Sequence, residues 1–284
     1  MSIRIIWTIT VLLFTVAAFS SCSSLLTSTF VEPAAGNLRK QTDPELVCEG
    51  APAFLLMIDS MIAGSPDSEN LLRTGAQSYS AYAATLPECG ASEERIAAIT
   101  EKAHGYGLKL LSHFLPMDQM EGPEFDKSLA GLGKGDVPSV FWGTFGWISW
   151  VQAQHGSPGA MADLVVIEKI MARLLELDET FEAGSIHLFF AGYYAAKPAL
   201  FGGKPELSRY HFKRALELSK RKFLLVQATY AATLARQTQD KKLYNALLKE
   251  ILDFPIDSAP EFALSNVLAV RKARRLLEED YFAE

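Results

Sequence analysis

From Asp43 to the C-terminus the apolar residues recur at helical spacing, and no stretch carries the two-residue alternation of a half-buried strand. This pattern predicts an all-α fold. Helices are expected over 45–63, 70–86, 92–112, 137–153, 161–177, 186–196, 205–219, 223–237, 241–252 and 261–277. Asp43 followed by Pro44 reads as an N-cap with proline at the first helical position, and Ser92 with Glu93 and Glu94 as a second capped start. With 49% hydrophobic residues in 284, the chain can bury one large core or the continuous core of a solenoid.

Three of these helices resemble the second helix of a tetratricopeptide (TPR) unit. Ser208, Phe212 and Ala215 keep the small, aromatic, small spacing of four then three, with Leu216-Glu217-Leu218 after them. Leu243, Leu247 and Glu250 continue it, with Pro255 five residues on, and Ile167, Met171 and Leu174 repeat it. Leu174 to Ala215 is 41 positions and Ala215 to Glu250 is 35, against roughly 34 in a regular repeat. The succession predicts degenerate TPR-like helical hairpins stacked as an α-solenoid over 43–284.

The N-terminus follows a signal peptide's order. One cation, Arg4, precedes an uncharged apolar run from Ile5 to Phe19, and Ser20-Ser21 lead to Cys22. The run is shorter than the roughly 20 apolar residues of a spanning helix, and polar residues follow at once. Small residues before a cysteine suit a peptidase that cuts before Cys22, and Phe19-Ser20-Ser21-Cys22 resembles the lipobox of bacterial lipoproteins, with Phe19 where leucine is usual. That resemblance implies residues 1–21 as a signal peptide and Cys22 as the lipidated residue. Ordinary secretion with a free thiol is the alternative. Ser23 is not aspartate, which in sorted lipoproteins is read as permitting export to the outer membrane. Residues 22–42, rich in Ser, Thr and Pro, read as the lipidated cysteine and a flexible tether.

The formal net charge is −6, and loss of Arg4 leaves 26 cations against 33 anions, or −7. Such a chain disfavours nucleic acid and anionic membrane as partners, leaving attachment by the lipid alone. The remaining cysteines are Cys48 and Cys89, in a compartment that oxidises thiols. An antiparallel pair of helices folded near residue 66 places position 48 opposite 85, about one turn from Cys89. A disulfide is expected, worth about 4 kcal/mol for a loop of roughly 40 residues. Two buried free thiols are the alternative.

Residues 137–153 carry no charge and hold Phe141, Trp142, Phe145, Trp147 and Trp150. A helix apolar all round belongs in the interior. Its rings either pack as core or, with His187, Phe189, Phe190, Tyr193 and Tyr194, line a cavity for a hydrophobic ligand.

Catalytic signatures are missing from the sequence. No H-E-x-x-H or G-x-S-x-G occurs, and His104, His113, His155, His187 and His211 include no pair at helical i, i+4 spacing, so neither a metal nor a cofactor is expected. Gly131-Leu132-Gly133-Lys134-Gly135 lacks the spacing and the preceding strand of a phosphate loop and reads as a connection.

Several segments together are more specific than the repeat spacing. They are Asp136-Val137-Pro138 leading into Phe141-Trp142; Glu176-Leu177-Asp178 followed by His187 to Tyr194; Gly202-Gly203-Lys204-Pro205 leading into His211-Phe212; Arg214 to Ser219; and Ser265-Asn266. In these the chain resembles the T component of tripartite ATP-independent periplasmic (TRAP) transporters. The resemblance implies a non-enzymatic, TPR-like lipoprotein that forms a homotrimer and binds the transporter's solute-binding P component. It also implies a hydrophobic pore through each subunit in which an apolar small molecule passes or binds. A stand-alone carrier of lipids or other hydrophobic ligands is the rival reading, and an envelope enzyme a third.

Overall fold

The computed structural model describes residues 32–196, 203–279 and 281–282. The signal peptide, Cys22 and Ser23 lie outside them. Among the described residues every regular element is helical. The chain forms α1 (Glu32–Arg39), α2 (Pro44–Gly64), α3 (Glu69–Thr85), α4 (Glu93–Leu111), α5 (Pro123–Gly131), α6 (Val137–Ala153), α7 (Pro158–Leu177), α8 (Ser185–Ala195), α9 (Pro205–Leu218), α10 (Leu225–Tyr230), α11 (Lys241–Asp253) and α12 (Ala263–Glu278). A π turn, Ala231–Ala235, extends α10.

The starts follow the local chemistry. Asp43 Oδ1 accepts from the Leu46 amide, Ser92 Oγ from that of Arg95, and Asp240 Oδ1 from that of Leu243. Proline opens α2, α5, α7 and α9, where its missing N–H costs nothing. Two helices differ from expectation. α5 lies in a stretch where no helix was expected, and α1 in the stretch read as a tether. α1 packs on α3 and α12, and Arg39 donates to both carboxylate oxygens of Glu182, at 3.4 and 2.6 Å.

Three apolar regions run round the molecule. The first joins α2, α3 and α4 through Val47, Leu55, Ile58, Leu72, Tyr79 and Ile99. The second runs from the end of α4 through α8 and includes Phe125, Phe141, Trp147, Ile167, Ile170 and Phe190. The third spans α8 to α12, with Phe212 stacked on Tyr230 at 4.2 Å. The closest helix packing is between α4 and α6. A Cβ on Gly107 would lie 2.4 Å from the Gly143 carbonyl oxygen, and one on Gly146 2.5 Å from that of Ala103. Glycine lets these backbones approach as no other residue does.

An open solenoid contacts only sequential neighbours. Here the ends meet. α12 packs on α1 and α2, and its Leu264 and Leu268 enter the first apolar region. Arg271 pairs with Glu45 at 2.8 Å, and Arg275 with the nearly buried Glu88 at 2.5 Å. The last helix is therefore packed against the first two.

Cys48 in α2 and Cys89, at the end of the short 3-10 turn after α3, are joined, with Cα atoms 5.7 Å apart. The bond ties the two helices whose other ends meet at the turn Ser65–Ser68.

Candidate functional site

The aromatic residues singled out from the sequence fall into two groups on either side of α7. On α6, Phe141 and Trp147 are fully packed in the core, while Trp142, Phe145 and Trp150 are half-buried. Phe141 meets Trp142 and Phe181 edge-on, with ring centroids 5.2 and 5.0 Å apart. The two indoles each find an acceptor. Trp147 Nε1 donates to Asp163 at 2.8 Å and Trp150 Nε1 to Glu101 at 2.7 Å. His104 of α4 lies against both rings, 4.6 Å from Trp150 and 6.1 Å from Trp147. Its Nε2 is buried without a hydrogen-bond partner, and burial lowers its pKa.

The second group stands on α8. Phe190 is buried, and Phe189, Tyr193 and Tyr194 are half-buried. Tyr193 and Tyr194 hydroxyls donate to Glu168 of α7 at 2.8 and 3.4 Å. Burial, reinforced by this carboxylate, pushes Tyr193 up to about 12. α7 thus carries an acceptor for each group, Asp163 for Trp147 and Glu168 for the tyrosines.

His187 and His211 form a buried pair beneath the second group. Their Nδ1 atoms are 2.8 Å apart, and His187 Nε2 is 3.1 Å from Glu179 Oε2. A carboxylate only accepts, so His187 carries its proton on Nε2 and His211 donates from Nδ1. Arg214 holds Glu179 from the other side through Nη2 at 2.5 Å and Nε at 3.1 Å. The Arg214 bonds, aided by His187, hold the Glu179 carboxyl down at about 2. Burial lowers His187 against the opposing pull of Glu179, and burial with the neighbouring His187 lowers His211 to about 4. At neutral pH the pair is uncharged. Phe190 stacks on His211 at 5.2 Å, and Tyr194 and Tyr210 lie 5.8 and 5.1 Å from it.

The turn that sets up this network is backbone-strained. Glu182 and Ala183 adopt positive φ of 44° and 56° before Gly184. Phe181 enters the aromatic region from this turn, and Glu182 receives Arg39.

The sequence reading selected His187 but gave no role to His104, Phe181, Glu179, Glu168, His211 or Arg214. His211 was within reach of register arithmetic. Positions 187 and 211 sit symmetrically about residue 199, as do 194 and 204, where the Lys204 amide donates to the Tyr194 carbonyl at 3.1 Å. Among the described residues no group of three His, Cys, Asp or Glu side chains is arranged to hold a metal.

The profile of one family, described as the TRAP transporter T-component, matches residues 40–282. The chain belongs to that family. The match spans nearly the whole helical body and begins immediately after α1. A T component is an accessory component of a transporter in the bacterial envelope. No curated protein matches the chain significantly.

Proposed function

We propose that this T component is a non-enzymatic lipoprotein that docks the solute-binding P component of its TRAP transporter. In this reading residues 1–21 are removed, Cys22 is lipidated, and the body faces the periplasm, held at the outer membrane. The observation that carries the reading is the family match across 40–282. The packing of successive helices, α8 with α9 and α10 with α11, supports a TPR-like arrangement of hairpins. TPR-like stacks present extended surfaces to partners, and the homotrimer implied by the family resemblance would multiply that surface.

A hydrophobic ligand is the second part of the proposal. Phe141, Trp147 and Phe190 are spent on packing. The rings left to meet a ligand are the half-buried Trp142, Trp150, Phe189, Tyr193 and Tyr194, with His187 beneath them. The concentration of aromatic residues on both sides of α7 also favours the rival reading, a lipid carrier that works without a transporter.

Mixing the purified protein with the transporter's solute-binding protein, in analytical ultracentrifugation, tests the docking. A complex at micromolar concentration is expected. Independent sedimentation with an apolar compound still bound would instead support the stand-alone carrier.

A further inference from the structure

α2 is the one described helix long and apolar enough to cross a membrane by length and composition, and it is only partly buried against the body. Val47, Ala51, Leu55, Ile58 and Ile62 face the body, and most of the helix's other residues are at least partly exposed. The opposite face is apolar too. Leu46, Leu56 and Met57 are 53%, 66% and 42% exposed, with Gly50, Ala53, Ala63 and Gly64 exposed along the same side and Glu49 and Ser60 the polar residues among them. From Gly50 to Gly64 the only ionisable residue is Asp59, which is turned toward α4, where Tyr106 and Lys102 bond it at 2.6 and 3.2 Å. A chain of net charge −6 therefore displays one largely apolar stripe, with Glu49 its single carboxylate, that packs on none of the described helices.

We propose that this stripe lies on the bilayer that holds the lipid anchor, so that the body rests on the membrane through α2. The inference rests on the reading of Cys22 as the lipidated residue. Nine residues lie between Cys22 and Glu32, a span of at most about 36 Å in any conformation. α1 adds about 12 Å, and α2 starts four residues beyond it, so the anchor keeps α2 near the surface. Magnitude also favours lipid over a protein partner. A stable protein interface buries about 800 Å² on each side, and three large side chains on one helix fall well short. A bilayer already joined to the chain needs no such area, because tethering makes the second contact intramolecular. With Glu49 its one charge, the stripe suits zwitterionic lipid, which an acidic protein approaches without repulsion.

The test uses the full-length lipidated protein on phosphatidylcholine–phosphatidylethanolamine vesicles. An environment-sensitive fluorophore is placed on the Leu56→Cys variant and, as control, on Lys242→Cys, an exposed site on α11. With Cys48 and Cys89 joined and Cys22 acylated, the introduced thiol alone takes the label. Both proteins should float with vesicles. The label at 56 should shift to shorter wavelength and be quenched at least about twofold by nitroxide-bearing lipid, as expected of an interfacial site, while the label at 242 stays aqueous. Flotation with an aqueous, unquenched label at 56 would overturn the proposal and leave the anchor intact. Disulfides forming on the vesicle between the introduced thiols of two unlabelled Leu56→Cys copies would overturn it too, by naming a second copy as the occupant. No flotation of either protein would overturn the anchor, and this inference with it.

Discussion

The contact between α4 and α6 makes a quantitative prediction for Gly146→Ala. The added Cβ would lie 2.5 Å from the Ala103 carbonyl oxygen and 3.5 Å from the Ala76 Cβ. An ordinary C···O contact is about 3.3 Å, so the helices must part by about 0.8 Å. A gap of that order forfeits a quarter to a half of the dispersion energy of each atom pair across it, and overpacking of this kind costs about 1–3 kcal/mol. Alanine returns about 0.5–1 kcal/mol of helix propensity. The net loss should centre on about 1 kcal/mol and reach at most about 2.5, or up to roughly 10 °C in melting temperature for a body of this size. Gly105→Ala is the control. It sits in the same α4, exposed, with nothing within 4 Å of its Cβ, and should stabilise by about 0.5–1 kcal/mol. Urea titration of the three proteins reads both signs. A Gly146→Ala protein as stable as the wild type would refute the claim that close backbone approach, and not residue type alone, holds α4 to α6.

Three further outcomes follow from the same contacts. Replacing Cys48 and Cys89 by alanine should cost about 2–4 kcal/mol, the order expected for a loop whose ends are 41 residues apart, measured by urea titration with and without reductant. Acid should destabilise the protein in two stages. His187 and His211 have pKa values below the ordinary 6.5, so stability is full above 6.5 and falls as the unfolded chain takes up protons toward about 4; Glu179, held at about 2, loses its contribution between about 4.5 and 2. His211→Phe should flatten the first stage in stability measured against pH, and an unchanged slope would place the sensitivity elsewhere. Trp147→Ala should lose about 3–5 kcal/mol in a thermal melt, since the ring is buried and its indole bonded to Asp163; unchanged stability with loss of a bound apolar compound would make the ring part of a cavity wall.

Periodicity and capping made most helices legible, because both are local. Pro44 after Asp43, and Ser92 before two glutamates, mark starts that no tertiary contact needs to explain. α1 was not legible, since it has only eight residues, few of them large and apolar, and its partners α12 and Glu182 lie far along the chain. α5 was hidden by the glycines that follow it. Hairpin register carried further than composition. The arithmetic that brings Cys48 near Cys89 also brings His187 opposite His211, yet only helix-pair geometry shows Glu179 and Arg214 completing that network. The meeting of the two ends escaped the sequence for a simpler reason. Repeat spacing describes neighbours, and the contact of α12 with α2 depends on the superhelical path of the whole chain.

The central claim, that this T component works by holding a solute-binding protein, is tested most directly in the native envelope. The tagged full-length protein is crosslinked, gently extracted and its partners identified by mass spectrometry, with Cys22→Ala as the anchoring control. Recovery of the solute-binding protein in stoichiometric amount is the predicted result. Its repeated absence after crosslinking, with the T component itself recovered intact, would contradict the docking account.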